Sequence, residues 1–130
     1  MLLEPINAAD APAPGGGYAQ AVRVSGAGEL LFVSGQIPVG LNDEVPAAFG
    51  DQCRLVWANA EAQLRAAGMG LADIVKVTTF LSDRAYAEEN SAIRRELLAG
   101  LSPALTVIIA GIYHPAWLLE IEVVAAKGSL

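Results

Sequence analysis

Two glutamates near the C-terminus have a spacing that suggests acid–base chemistry. Glu120 and Glu122 alternate with apolar residues in the segment LLEIEVVAA. In a β-strand this alternation puts both carboxylates on one face, about 6.5–7 Å apart at Cα. A carboxylate on a covered face is costly unless it is paired or used. Three interpretations follow: a solvent-exposed sheet face, a carboxylate that orients a water or moves a proton in a cleft, or a hydrogen bond between subunits.

Three further residues could contact a ligand. Ser34 and Gly35 follow an apolar run in LLFVSGQIP. The hydroxyl can donate or accept a hydrogen bond and glycine permits close backbone approach, although the same pair is common in ordinary turns. Asn90 lies within a predicted helix, where asparagine is a mediocre helix former, and this indicates a hydrogen-bonding role. The single histidine, His114, is most simply a solvated loop residue.

Composition and charge exclude several classes of partner. The chain has 8 Lys and Arg against 14 Asp and Glu, a net charge of -6, and no basic patch, so nucleic acid is not an expected partner. No apolar run approaches the roughly 18 residues of a membrane span, and the N-terminus lacks the basic region of a signal peptide. Cys53 is the only cysteine, which predicts a core thiol in a reducing cytoplasm and no metal site.

Hydrophobic periodicity predicts one domain, residues 1–130, with elements in the order ββαβαββ. The glycine-rich loop SGAGE suggests that the first two strands form a β-hairpin. Asp83 is placed to cap the second helix. The predicted strands cover residues 18–24, 30–35, 73–83, 104–110 and 118–126, and the predicted helices cover residues 47–67 and 85–98.

Two helices are too few to cover both faces of such a sheet, so we expect an α+β domain with both helices on one face. Neighbouring copies of the chain would cover the other face. An apolar fraction of 54% and a mean hydropathy of +0.44 agree with this, because surface buried between subunits adds apolar residues.

Several segments together resemble the RidA family, also called YjgF and, in older usage, endoribonuclease L-PSP. They span nearly the whole chain in the family's order: GGYAQAV, LLFVSGQIPV, ANAEAQLRAAGMGLADIVKVTTFLSD, the asparagine of EENSAI, SPALT and LLEIEVVAA. The resemblance implies a chorismate-mutase-like α+β fold assembled as a homotrimer, with small-molecule clefts between subunits. It also implies hydrolysis of reactive enamines and imines, such as 2-aminoacrylate, to keto acids and ammonia, without a metal or organic cofactor.

The family's functional positions match five residues of this sequence, namely Tyr18, Ser34, Gly35, Asn90 and Glu120. By resemblance, Glu120 is the catalytic residue that orients the attacking water. The other four are implied to bind the substrate, with backbone groups near the cleft holding the imino nitrogen and polar oxygens.

One motif departs from the family pattern. Relatives carry P-A-R-[ST], whose arginine grips the substrate carboxylate, whereas this chain reads PALT, with Leu105 and Thr106 at the last two positions. The lost charge-assisted bonds are worth about 1.5–3 kcal/mol each, which corresponds to one to two decades in rate. Ile93 also stands where active relatives often carry an aromatic residue.

Another cation could take the place of the missing arginine. Arg94 lies four residues after Asn90, on the same face of the predicted helix. It is therefore a candidate substitute cation. The alternative is that Arg94 and Arg95 simply solvate the helix surface.

Four functions remain to be compared. The first is a RidA-like hydrolytic deaminase with altered substrate choice, and the second is a non-catalytic trimeric protein that binds a small ligand. Endoribonuclease or translation-inhibitor activity is disfavoured by the acidic composition. Chorismate mutase chemistry needs cations against a dianionic substrate, and the predicted cleft lacks them.

Overall fold

A computed structural model of the chain describes residues 1–128. None of the helices in this range is long and apolar enough to cross a membrane. Single-turn 3-10 helices occur at Leu71–Asp73 and Arg84–Tyr86. The longer elements, in chain order, are β1 (Leu2–Ile6), β2 (Ala21–Ser25), β3 (Ala27–Gln36), α1 (Phe49–Ala66), β4 (Ile74–Leu81), α2 (Ala87–Leu97), β5 (Ala104–Ile109) and β6 (Leu119–Gly128).

Helix α1 forms because apolar residues recur every three or four positions and make one buried stripe. The chain leaves the helix through Gly68, whose φ of 73° lies in the left-handed region that favours glycine. The stripe packs against β3 and β6. Its buried residues include Cys53, Val56, Trp57, Ala60 and Leu64.

A four-stranded mixed sheet lies under the helices, in the strand order β3-β6-β4-β5. β6 is antiparallel to both neighbours, while β4 and β5 are parallel. Leu119, Ile121 and Val123 of β6 are buried against the helices. Glu120 and Glu122 alternate with them and leave the sheet on the other side. We call these two sides of the sheet the helix side and the open face.

The predicted hairpin between the first two strands is wrong. β2 pairs instead with β1, a strand that the periodicity did not predict, and the two form a separate antiparallel ribbon. Gly26, with a φ of 68°, turns the chain between β2 and β3 so that the two strands belong to different sheets. β1 contains Pro5, a residue that normally argues against a strand except at an edge. The observed order is therefore βββαβαββ.

The residues just before β2 contact the main sheet at the beginning of β5. The Ala19 N–H donates a hydrogen bond to the Pro103 carbonyl oxygen at 3.0 Å, and Ala19 forms an isolated parallel bridge with Ala104. The preceding glycine segment lies against α2, since the space beside Gly17 is filled by the Arg95 side chain. The first twenty residues thus reach both β5 and α2.

Asp83 begins the second helical segment as predicted. Its carboxylate accepts a hydrogen bond from the Ala85 N–H at 2.8 Å, although it caps the 3-10 turn that precedes α2. Helix α2 buries Asn90, Ile93 and Arg94. An amide and a guanidinium are uncommon on the covered face of a helix.

Cys53 is fully buried, as predicted for a core thiol. Burial raises the pKa of this thiol to about 12, and the nearby Glu89 carboxylate acts in the same direction. The thiol is therefore protonated and unreactive at neutral pH.

Candidate active site

Glu120 lies directly against Gly35 on the open face. The pairing of β3 with β6 shifts register between Val33 and Gln36, so the Ser34–Gly35 pair sits in a β-bulge. A Cβ atom added at Gly35 would overlap the Glu120 carboxylate. Only glycine leaves room for the carboxylate in this position.

Ser34 stands beside this contact and is exposed. It borders a shallow cavity of about 230 Å³ on the open face, together with Phe32, Glu122 and Val124. A bulge leaves backbone groups outside the regular ladder, where a ligand can hydrogen-bond to them. We call Ser34, Gly35 and Glu120 the open-face set.

Thr106 shares the open face but lies away from Glu120. Its register partner is Thr78, which pairs in turn with Glu122, so Thr106 and Glu122 are two strands or roughly 10 Å apart. The Thr106 hydroxyl accepts a hydrogen bond from Lys76 Nζ at 2.7 Å. The sequence analysis did not select Lys76. A lysine within a strand of β-branched residues was the feature that could have indicated it.

Leu105 points to the opposite side of the sheet from Thr106. It pairs with the fully buried Val77 and packs, half-buried, against the hydrophobic core on the helix side. Neighbouring residues of a strand leave the sheet on opposite faces. Within one protomer, Leu105 and Glu120 therefore lie on different sides of the sheet.

Asn90 is held in the interior between the two helices, with 1% of its surface exposed. Its Oδ1 lies 3.9 Å from Cys53 Sγ, a weak hydrogen bond from the thiol. Its Nδ2 has no hydrogen-bond partner within residues 1–128.

Tyr18 lies half-buried near the same helix. Its hydroxyl oxygen accepts a hydrogen bond from the Gly15 N–H at 3.0 Å. That leaves the O–H proton available for another acceptor. Tyr18 also lies close enough to Arg94 to affect the pKa of the guanidinium.

Arg94 is buried, with 3% of its surface exposed. Burial lowers the pKa of its guanidinium, the neighbouring Arg95 lowers it further, and Tyr18 acts in the opposite direction. The interpretation that both arginines solvate the helix surface is therefore wrong for Arg94, whereas Arg95 is exposed. We call Tyr18, Asn90, Arg94 and Leu105 the helix-side set.

His114 lies in an exposed turn, as predicted. Its Nδ1 accepts a hydrogen bond from the Ala116 N–H at 3.0 Å, and its ring centroid lies 5.3 Å from that of Trp117. Among residues 1–128, no group of three or more His, Cys, Asp or Glu side chains could hold a metal ion.

Comparison with known proteins places the chain in a family. A sequence model described as Endoribonuclease L-PSP matches residues 8–127. A RutC family protein from Pyrococcus horikoshii is 35% identical over 128 residues, which covers 97% of this chain and 99% of that protein. The mitochondrial protein mmf2 of Schizosaccharomyces pombe is 36% identical over 130 residues, covering 98% of this chain and all of the relative.

Solved structures and a further relative agree with this assignment. A Rid family protein from Yersinia pestis has a TM-score of 0.84 at 27% identity and covers 98% of this chain and 100% of that one. TdcF of Escherichia coli, a candidate reactive intermediate deaminase, is 42% identical over 79 residues, or 60% of this chain and 59% of TdcF. The chain belongs to the RidA/YjgF family, and the predicted α+β fold is confirmed.

Proposed function

We propose that this protein is a hydrolytic deaminase of reactive enamines and imines. The observation that carries the proposal is the contact of the Glu120 carboxylate with the Gly35 backbone on the open face, with the Ser34 hydroxyl beside it. Membership of a family that includes a candidate reactive intermediate deaminase supports the reaction class.

Glu120 would orient a water and accept its proton as the water oxygen attacks the imine carbon. A new C–O bond forms, the C=N double bond becomes a single bond, and Glu120 passes the proton taken from water to the nitrogen, which gives a carbinolamine. As the C–N bond breaks, Glu120 takes the proton of the carbinolamine hydroxyl and passes it to the departing nitrogen. Ammonia leaves, a carbonyl group forms and the carboxylate is regenerated. An enamine enters the same sequence as its imine tautomer, once a proton has moved from nitrogen to carbon.

The two sets of site residues come together only if subunits combine, because the sheet separates them within a protomer. We propose the homotrimer that is typical of the family, with each ligand cleft built from two chains. Exposed apolar residues support assembly: Phe32 on β3 is 73% exposed. The others on the main sheet are Leu30, Val107, Ile108 and Ile109.

Substrate choice should differ from that of relatives with the P-A-R-[ST] motif. Leu105 offers no hydrogen bond to a carboxylate and already packs against the core. A substrate that binds here is either more apolar or carries its anion elsewhere in the cleft. The cytoplasmic location and the absence of a cofactor stay predictions.

A non-catalytic small-ligand-binding protein is the second candidate. The same packing of Leu105 favours it, because a residue that packs against the core stands where the P-A-R-[ST] motif has its anchoring arginine. The two candidates differ in turnover, not in ligand binding.

The test is hydrolysis of a panel of imines and enamines, including 2-aminoacrylate, by the natural protein and by Glu120→Gln. We expect turnover of at least one compound and a loss of about 10²–10⁴-fold in the variant. Glu122→Gln, a matched change two residues further along the same face, should keep most of the activity. Turnover that is unaffected in Glu120→Gln contradicts the assigned role. No acceleration of any compound, together with a ligand that raises the melting temperature, selects the binding protein.

A further inference from the structure

The buried arginine of this protein has no ion pair within residues 1–128, although several exposed arginines do. Ion pairs within residues 1–128 are made by Arg23, Arg54 and Arg65, all with side chains at least half exposed. Surface pairs of this kind contribute little to stability. Arg94 is the buried arginine, yet it forms no ion pair or side-chain hydrogen bond with any residue in that range, and its Nε is sealed from solvent without a partner.

A buried cation without a counter-ion is costly. Burial disfavours the charged form, but arginine keeps its proton at any ordinary pH. An anion brought to the guanidinium would relieve this cost. Of the guanidinium nitrogens, Nε is the one that is sealed from solvent without a partner, so an anion would reach Nη1 and Nη2. The environment of Arg94 accordingly calls for an anionic partner from outside the protomer.

The groups around Arg94 narrow down the chemistry of that partner. Asn90 lies one helical turn earlier on the same face, and its Nδ2 is also buried without a partner. Tyr18 has a free O–H proton, because its oxygen already accepts from Gly15. All three groups can donate hydrogen bonds, and the nitrogens of Asn90 and Arg94 do so from buried positions without an acceptor. A planar carboxylate, with about four acceptor positions on two oxygens, fits a guanidinium and two further donors.

We infer that Arg94, Asn90 and Tyr18 form a carboxylate-binding subsite beside helix α2. The subsite takes over the anchoring that Leu105 cannot provide. Its identification with a substrate subsite rests on the proposed function: the reactive imine or enamine would then be an amino-acid derivative that has kept its carboxylate. The binding of an anion by Arg94 does not depend on catalysis.

Binding of an unreactive keto acid tests the inference directly. The probe is 2-oxobutanoate, titrated calorimetrically into the assembled protein, and 2-oxobutanamide is its uncharged isostere. We expect the acid to bind at least about 10-fold more tightly than the amide, as one charge-assisted bond predicts. Arg94→Gln should remove that preference, and Arg94→Lys should retain part of it. Arg95→Gln, which removes the same charge one position along on the exposed side, should change the affinity less than about twofold.

Thermal unfolding without ligand separates binding from a structural role. Because Arg94 is an uncompensated buried charge in the free protein, Arg94→Gln should leave the melting temperature unchanged or raise it, and the rise caused by 2-oxobutanoate should disappear. A lower melting temperature with loss of the assembly on size-exclusion chromatography would show that a carboxylate of a second copy pairs with Arg94. That result overturns the inference, as does a natural protein that binds acid and amide equally.

The same measurements distinguish this inference from the proposed function. Glu120→Gln should retain the preference for 2-oxobutanoate over 2-oxobutanamide, because the inference places the carboxylate at Arg94 and not at Glu120. Binding that depends on Arg94 in a protein without turnover refutes the deaminase and leaves the subsite standing. Turnover that depends on Glu120, together with binding that does not change in Arg94→Gln, refutes the subsite and leaves the deaminase standing.

Discussion

The open face and the helix side of the sheet satisfy their polar groups in opposite ways. On the open face, the Thr106 hydroxyl is bonded to Lys76, and Ser34 and Glu122 are exposed to water. On the helix side, Asn90 and Arg94 bury nitrogen atoms that have no partner within residues 1–128. These polar groups of the open face are thus satisfied in the free protomer, whereas the buried nitrogens of the helix side would be satisfied by a ligand or a second chain.

This difference suits two separate roles, proton transfer with water on one side and substrate binding on the other. A carboxylate that handles water must stay in contact with solvent, and Glu120 is only partly buried. Groups that hold a substrate gain from burial, because hydrogen bonds to charged groups are stronger where water is excluded. Under the proposed function, the open face carries the chemistry and the helix side anchors the substrate. Three changes can break or sharpen this comparison.

The largest effect is expected on the open face, from Gly35→Ala. The added methyl group occupies the volume of the Glu120 carboxylate, which must rotate away. Turnover should fall by about 10²-fold or more, since a displaced base loses its contact with the water. Steady-state kinetics and thermal unfolding measure the two effects, and the fold should survive because the end of a glutamate side chain can move. Gly111→Ala is the control, as no atom lies within 4 Å of the added group. Equal losses in both variants would contradict a specific contact.

A smaller effect is expected on the helix side, from Leu105→Arg. If this side anchors the substrate, a guanidinium at position 105 should raise 2-aminoacrylate turnover by about one to two decades. Replacing a residue that packs against the core should also lower the free energy of unfolding by about 1–3 kcal/mol. Val107→Arg, on the same side of β5 and exposed, is the matched control and should bring no gain. Inactivity of both the natural protein and Leu105→Arg would mean that more than the anchor has changed.

The smallest effect is a loss of stability at high pH caused by Cys53, whose thiol contacts Asn90. The pKa of the Cys53 thiol is raised to about 12, well above the value of about 8.5 in an unfolded chain. The neutral thiol thus adds stability that is fully present below about pH 8.5 and is lost as the pH rises towards the folded pKa. Between about pH 7 and pH 9.5 the loss should be about 1.4 kcal/mol. Urea unfolding at both values measures it.

A matched variant isolates this contribution. Cys53→Ala should show a smaller drop in stability over the same pH interval, whatever its stability at neutral pH. Ser34→Ala, on the open face, should show the same drop as the natural protein. An equal pH dependence in all three proteins would contradict a thiol sealed beneath Asn90.

Local patterns predicted much of this architecture. The alternation of apolar residues with Glu120 and Glu122 placed both carboxylates on one face, and the apolar stripe predicted α1 to within two residues at each end. Both depend on residues close in sequence, where periodicity reports the side that is covered.

What the sequence did not predict depends on contacts between distant residues. The pairing of β2 with β1 rather than β3 is a choice between partners, and the residues of β2 are compatible with both. The consecutive arginines Arg94 and Arg95 indicate a solvated helix surface, and this pattern does not predict that Arg94 is buried. The segment before Ala19 folds back onto α2, against Arg95 and close to Arg94, from more than seventy positions away in sequence.

β5 lies at the edge of the main sheet, and Ala19, just before β2, bridges to its first residue. The rest of the strand presents consecutive exposed apolar residues, Val107, Ile108 and Ile109. An edge of this kind is a template for strand addition by other chains. The proposed trimer would shield these residues. Variants that weaken it should therefore aggregate and lose solubility before they lose their fold.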